Sequence, residues 1–105
     1  MNSQIVLTES VYYILLSLEE PLHGYGIIQK IKLMSNGRVD MAAGTLYGAL
    51  NNLIKKEWII LTSADGPKGK KEYQLTEQGK QVLIDEINRL KELVSNGDKY
   101  LKGEL

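Results

Sequence analysis

The spacing of the apolar residues changes twice along this 105-residue chain, and these changes limit the folds it can adopt. Up to residue 57 the apolar side chains recur every three or four residues, as in helices that pack on one face. Residues 58–75 are β-branched or alternating, which is typical of strands. Beyond residue 77 the apolar positions follow a heptad. This order predicts three helices, a small β-hairpin and a long final helix.

Each predicted helix of the first half has a start or a stop signal. Thr8 precedes the first helix as a candidate N-cap, and Pro21 follows it. Asn36-Gly37 is a stop and turn signal after the second helix. The predicted helices cover residues 5–18, 22–35 and 43–57.

The predicted hairpin joins strands at residues 58–62 and 70–75 through the turn sequence DGPKG at 65–69. Three lysines lie in this turn or directly after it and make the tip basic: Lys68, Lys70 and Lys71. Thr76 then stands before the last helix as a cap. Short helices followed by such a hairpin favour a winged helix-turn-helix.

The last helix carries one apolar seam that suits coiled-coil packing against a second copy of the chain. Gly97 occupies a skipped position of this seam, and the stretch from Ser95 to Asp98 leaves open whether the helix continues to Tyr100. The predicted dimerisation residues are Leu83, Ile87, Leu90, Val94 and Leu101.

The length favours one compact, mainly α domain with a small β-hairpin. Within it, residues 1–76 form the predicted winged helix-turn-helix and residues 77–105 the predicted dimerisation helix. The absence of cysteine excludes disulfides and thiolate metal sites. No apolar run reaches the ~20 residues that span a bilayer. Because there is also no secretory signal pattern, we expect a cytoplasmic protein without a membrane partner.

The net charge is formally zero, but the positive charge is concentrated in the middle of the chain. Residues 30–71 carry eight basic and three acidic side chains, whereas residues 1–29 carry only acidic ones. Such a local excess can guide association with a polyanion. An ordinary solvated surface would have the same composition.

Residues 42–57, AAGTLYGALNNLIKKE, hold most of the functional signal. On a helical wheel the leucines and Ile54 share one side, whereas two glycines, two asparagines and a lysine share the other. Glycine inside a helix costs ~1 kcal/mol relative to alanine, so its placement needs a reason. A face without bulk but with hydrogen-bonding groups suits a major groove. The candidate contacts are Gly44, Thr45, Tyr47, Gly48, Asn51, Asn52 and Lys55, with the basic tip on the backbone.

A structural explanation exists for each of these residues taken alone. Gly48 would also suit close packing by another helix, Tyr47 would suit a half-buried core position, and the asparagines would suit solvent. The combination is more specific: a polar helix face with glycines in place of bulky side chains, then a strand, then a basic turn. In that order these features favour DNA binding over the separate structural explanations.

Three motifs resemble those of the PadR family of bacterial transcriptional regulators: LHGYGI at 22–27, GTLYGAL at 44–50 and KKEYQLTEQG at 70–79. The resemblance extends over residues 5–80, and the single helix that follows is similar to the short subfamily. It implies a winged helix-turn-helix homodimer that usually represses transcription. It also implies that Tyr25 lies near the DNA backbone.

The sequence departs from the family pattern at two places. The family commonly has proline where this chain has Gly48. The third helix, which the family uses to recognise DNA, usually ends in a small residue, leucine and isoleucine, whereas this chain has Glu57-Trp58-Ile59. Some short members resemble drug sensors with a tryptophan-lined pore between their C-terminal helices. The only tryptophan here is Trp58, so the sequence does not favour that route to a small hydrophobic effector.

Two other classes of function compete with DNA binding. His23 is the only histidine, and a lone histidine beside a turn is usually a cap or a packed ring, so we expect no enzyme. Without phosphate-loop or metal-ligand spacing we expect no cofactor. A winged helix that binds protein is the closer alternative, because fold alone does not decide function.

Overall fold

A computed structural model describes residues 5–63 and 71–104 of the chain. Helices α1 (Glu9–Ser17), α2 (Gly24–Met34) and α3 (Ala43–Lys55) come first, with strand β1 (Leu22–His23) between α1 and α2. Strands β2 (Ile59–Ser63) and β3 (Glu72–Leu75) follow, and α4 (Glu77–Tyr100) is the last element. The mainly helical winged-helix fold class is therefore confirmed.

Within the described residues, three of the four helices begin at a side-chain cap. Thr8 Oγ1 accepts from the Val11 N–H at 3.2 Å, and Thr76 Oγ1 accepts from the Gly79 N–H at 3.0 Å. His23 Nδ1 does the same for α2, accepting from the Gly26 N–H at 3.1 Å. These bonds satisfy amide groups that the first turn of a helix leaves unpaired.

The predicted hairpin is part of a three-stranded antiparallel sheet with the order β1-β3-β2. Leu22 and His23, which the sequence pattern assigned to a helix, pair instead with Tyr73 and Glu72. The prediction was wrong here because the cap residue His23 has extended backbone, with φ −81° and ψ 168°, so the helix begins only at Gly24. The extended pair then completes the free edge of β3.

The strands also start later than predicted. Trp58 precedes β2 as a buried residue, and the Trp58 N–H donates to the Leu53 carbonyl at 3.1 Å. Glu57 before it has φ +63°, the left-handed turn that ends many helices. The predicted turn DGPKG, with Lys68 and Lys70, lies outside the described residues.

The core lies where α1, α2 and α3 meet the sheet and the start of α4. Its fully buried aliphatic side chains come from the first three helices, from the C-cap of α1 and from β2: Ile14, Leu15, Leu18, Ile27, Ile31, Leu46, Leu50 and Ile59. Ile54 was placed on the core side of the wheel, but it lies on the surface.

The start of α4 packs directly on the backbone before β2. The Thr76 N–H donates to the Trp58 carbonyl at 3.0 Å, and Thr76 Oγ1 donates to the Glu57 carbonyl at 2.7 Å. A Cβ on Gly79 would lie only 2.8 Å from the Trp58 carbonyl carbon, so only glycine fits there. The Gly of the LTEQG segment therefore serves packing.

Helix α4 passes through Gly97 without a break and ends at Tyr100, which settles the question that the sequence left open. Its last turns extend beyond the core, and residues 91–96 and 98–100 are exposed. Across residues 5–63 and 71–104, no helix has the length and apolar character needed to cross a bilayer.

Candidate nucleic-acid interface

Helix α3 has one buried face and one open face. Leu46, Leu50 and Leu53 are buried in the core, as the helical wheel predicted. The open face carries the candidate contacts, all of them exposed: Gly44, Thr45, Tyr47, Gly48, Asn51, Asn52 and Lys55. The structure therefore brings these residues together on one surface that a second molecule can reach.

The glycines of this face have no packing partner within the described part of the chain. A Cβ built on Gly44 or on Gly48 meets nothing within 4 Å. At Gly24 and Gly79, by contrast, a Cβ would meet neighbouring atoms at less than 3 Å. Close packing against residues 5–63 or 71–104 is thus ruled out as the reason for Gly44 and Gly48, and an open face remains.

Tyr47 links this face to the start of α2. Its ring lies over Gly24, whose Cβ, if present, would stand 2.8 Å from Cζ of the tyrosine. Burial, and in second place the nearby Tyr47, raises the pKa of the Tyr73 hydroxyl on β3. Tyr47 is still 46% exposed, so it is a packing residue and a surface residue at once. Tyr25, in the first turn of α2, is 63% exposed.

Ion pairs leave the positive charge at one end of the middle segment. Arg38 pairs with Glu9, and this pair lowers the pKa of the Glu9 carboxyl, while Lys32 lies 3.5 Å from Asp40. Lys55, Lys56 and Lys71 are exposed, and none of them is paired with a carboxylate of the described residues. Most of the uncompensated charge therefore lies at the end of α3 and just before β3.

His23 is a structural cap, because its Nδ1 accepts from the Gly26 N–H. Among the residues that the structure describes, no three His, Asp or Glu side chains are grouped so that they could hold a metal ion.

Two contacts in the region of the site were not predicted from the sequence. Lys56 Nζ lies 4.7 Å from the centroid of the Trp58 ring, close enough for a cation–π contact. The Leu7 N–H donates to Glu86 Oε2 at 2.9 Å across 79 residues of chain. Adjacent charge and aromatic residues hint at the first contact, but no sequence signal pairs Leu7 with Glu86.

The predicted dimerisation seam is divided between the core and the surface. Leu83 is buried in the core of its own chain, and Ile87 is half-buried against it. Ile87, Leu90 and Val94 line a groove beside Tyr12 of α1. Val94 and Leu101 are 65% and 51% exposed, so the second half of the seam is uncovered in a single chain.

A family model described as "Transcriptional regulator PadR-like family" matches residues 10–85, which include α3, the sheet and the first turns of α4. The chain belongs to the PadR-like family of transcriptional regulators. Members of this family are regulators that bind DNA and are not enzymes, so the expectation that this chain is not an enzyme is confirmed.

Relatives of this PadR-like chain cover most of its length. An uncharacterized protein of Lysinibacillus sphaericus is 31% identical over 90 residues, which are 84% of this chain and 83% of that protein. A PadR family regulator from Eggerthella lenta has a TM-score of 0.71 at 24% identity, covering 90% of this chain and 82% of its own. One from Clostridium difficile has a TM-score of 0.72 at 22% identity, covering 90% and 99%. These two structures support the fold.

Proposed function

We propose that this PadR-like regulator is a repressor that binds an inverted-repeat operator as a homodimer. In this proposal α3 enters the major groove, where Thr45, Asn51 and Asn52 read base edges. Tyr25, Tyr47 and the amide groups at the start of α3 hold phosphates. Lys55 and the basic tip with Lys68, Lys70 and Lys71 contact the backbone on either side.

The observation that carries the proposal is the open space above Gly44 and Gly48 on the exposed face of α3. Two glycines in one helix lower its stability, and no neighbour in the described chain needs them. A groove wall of bases and sugars that approaches the helix backbone would need them. Lys55 at the end of α3 and Lys71 before β3, both exposed and without a carboxylate partner among the described residues, support the same partner.

Dimerisation would proceed through the uncovered half of α4. Val94 and Leu101 lie on the predicted seam, and Leu93 and Tyr100 are large exposed apolar residues beside them. A two-fold axis along this helix would present two copies of α3 to half-sites one helical turn apart, about 34–36 Å. An inverted-repeat operator follows from that symmetry. Leu83 is assigned no contact with the partner, because it is buried in its own chain.

Fluorescence anisotropy tests the proposal, with the DNA upstream of this protein's own coding region against a scrambled duplex across a salt series. We expect tighter binding to the upstream DNA, with affinity falling steeply as salt rises because phosphate contacts release counterions. Asn51→Ala should lose more affinity for the upstream DNA than for the scrambled duplex. A base contact of this kind is worth about 1–3 kcal/mol of discrimination.

The alternative is a winged helix that binds protein through the same surface. No binding to either duplex at low salt would favour that alternative and would contradict our interpretation of α3. Such a partner surface should be richer in exposed apolar groups than the open face of α3, where Tyr47 is the large apolar contributor.

We also propose that a small hydrophobic effector releases the operator. A solved structure of Bordetella bronchiseptica BpsR, described as showing regulation of DNA binding by 6-hydroxynicotinic acid, shares the fold with a TM-score of 0.68 at 13% identity. For this chain the support is its own half-open grooves on either side of α1. The same anisotropy assay, repeated with candidate compounds, measures release.

A further inference from the structure

A groove of about 490 Å³ lies between the N-terminal segment, residues 5–8, and the last turns of α3. We name it the N-terminal groove. Val6, Val11 and Leu53 contribute aliphatic walls, and Trp58 lies among the lining residues. It is separate from the seam of α4, since the two share no lining residue. Mostly apolar concave sites with a few polar groups are where proteins bind small molecules.

The charged groups of the N-terminal groove have one sign. Lys55 and Lys56 line it together with the amide of Asn52, and none of its described lining residues is acidic. An apolar molecule with an anionic end therefore complements it better than a neutral or cationic one. An ammonium is also a good partner for a carboxylate in a half-open site.

The arrangement at Trp58 favours an alkyl chain over a flat aromatic ring. Lys56 Nζ lies 4.7 Å from the centroid of the indole, so its ammonium already covers a ring face on which an aromatic ligand would stack. Apart from Trp58, the apolar lining is entirely aliphatic. Methylene groups pack well against such walls and gain from leaving water.

The outer wall of the N-terminal groove is anchored to α4. The Leu7 N–H donates to Glu86 Oε2 at 2.9 Å, and Glu86 is only 2% exposed. Arg89 donates to both carboxylate oxygens of Glu86, at 2.6 and 2.9 Å. These bonds fasten the segment that forms the outer wall of the groove to α4.

We propose that the N-terminal groove binds a medium-chain fatty acid. Its alkyl chain lies against Val6, Val11 and Leu53, and its carboxylate pairs with Lys56. Asn52 and Lys55 line this groove and also belong to the open face of α3, so an acid bound beside them hinders their contacts with DNA and weakens DNA binding. That last consequence rests on the proposed function, whereas binding of the acid does not.

The chain carries its own reporter, because Trp58 is its single tryptophan. Titration of the DNA-free protein with decanoate should shift the Trp58 emission to shorter wavelength and saturate. Affinity should rise from octanoate to decanoate to dodecanoate by about three- to fourfold for each methylene that is fully buried. Circular dichroism in parallel checks that the acid does not unfold the protein.

Two matched pairs of variants locate the site. Lys56→Gln should weaken decanoate binding about fivefold, the upper range for an exposed ion pair, while Lys80→Gln on α4 should not. Val6→Asp should abolish binding by placing a carboxylate in the groove. Leu33→Asp, at an exposed position of α2 outside the groove, should bind decanoate like the wild type.

Several results would overturn the proposal. A Trp58 emission that ignores decanoate would do so, as would binding that Val6→Asp leaves intact. Tighter binding of benzoate than of octanoate would also overturn it. So would a Trp58 emission that changes only with protein concentration, because the groove would then be a contact between copies of the chain. If decanoate saturates the groove but the protein does not bind DNA, only the proposed function is contradicted. If the protein binds DNA specifically but its Trp58 emission does not change with decanoate, only this inference is contradicted.

Discussion

The ring of Tyr47 lies over Gly24, so that a Cβ on this first residue of α2 would stand 2.8 Å from Cζ of the tyrosine. The contact joins α2 to α3 through the hydroxyl end of the tyrosine ring. It also explains why a glycine follows the cap residue His23, at a position where space and not backbone geometry is limiting.

Gly24→Ala should therefore destabilise the fold by at most about 1 kcal/mol, the lower end of the cost of overpacking, because the atoms it meets are the far end of the half-exposed Tyr47 side chain, which can shift. Urea denaturation followed by circular dichroism measures this cost. In a Tyr47→Ala background the same substitution should cost much less, because the atoms it meets are gone. Equal costs in both backgrounds would mean that the ring is not the obstacle.

Gly48→Ala should have the opposite effect on stability. The site is open and lies inside α3, so alanine should stabilise the helix by about 1 kcal/mol. The added methyl group stands on the proposed DNA face and should weaken operator binding. Denaturation and anisotropy on the same preparation test both parts. A more stable protein with unchanged DNA affinity would show that DNA does not approach Gly48.

The double substitution of Lys70 and Lys71 by alanine should weaken binding to every DNA sequence alike. If each lysine neutralises one phosphate, the slope of log affinity against log salt should fall by about 2. Anisotropy across a salt series measures the slope. Lys80→Ala, on an exposed site of α4, is the control that should leave it unchanged. An unaltered slope in the double variant would place the basic tip away from the phosphates.

Val94→Glu should convert the proposed dimer into a monomer, because it places a charge on the uncovered seam of α4. Sedimentation velocity measures the mass. The site is 65% exposed in a single chain, so the fold should survive, which makes it a safer test than the half-buried Leu90. Leu33→Glu on α2 is the matched control. A dimer that persists in Val94→Glu means that another surface joins the copies.

Glu86→Gln should make the free energy of unfolding less dependent on pH in the acidic range. Arg89 first, and then the Leu7 N–H, hold the pKa of the Glu86 carboxyl below its usual range, although burial opposes them. A carboxyl with a lower pKa in the folded state stabilises the fold above its unfolded pKa and loses that contribution as pH falls. The variant should thus unfold at lower urea than the wild type at neutral pH.

The gap should narrow as pH falls below about 4.3, the ordinary pKa of glutamate, and close only below the lower pKa that the Glu86 carboxyl has in the fold. Asp85→Asn is the neighbouring control, because Asp85 is exposed and accepts only from Gln81 within the described residues. A constant gap between wild type and Glu86→Gln at every pH would mean that the ionised carboxylate is not what stabilises the N-terminal segment.

Local signals in the sequence were sufficient for most of the architecture. The caps Thr8 and Thr76, the stop at Asn36-Gly37 and the leucine face of α3 each depend on residues within one or two turns of one another. Such interactions are encoded in adjacent residues, so their pattern can be recognised without the fold. The open face of α3 followed from the same wheel.

Strand β1 could not be predicted in this way. Leu22 and His23 are too few to show an alternating pattern, and their partner β3 lies some fifty residues away in the chain. The placement of Ile54 on the surface and the burial of Leu83 in its own core have the same origin, because each depends on which neighbouring element covers the position.

The sequence by itself thus determined the order of the four helices and the two hairpin strands, the family and the polar surface of α3. Only the tertiary structure decided which glycines serve packing and which leave a surface open, because a missing Cβ looks the same in any sequence. It also revealed the anchor from Leu7 to Glu86, and with it the N-terminal groove. A hydrogen bond from a backbone amide carries no side-chain signature, and only the folded chain brings its two ends together.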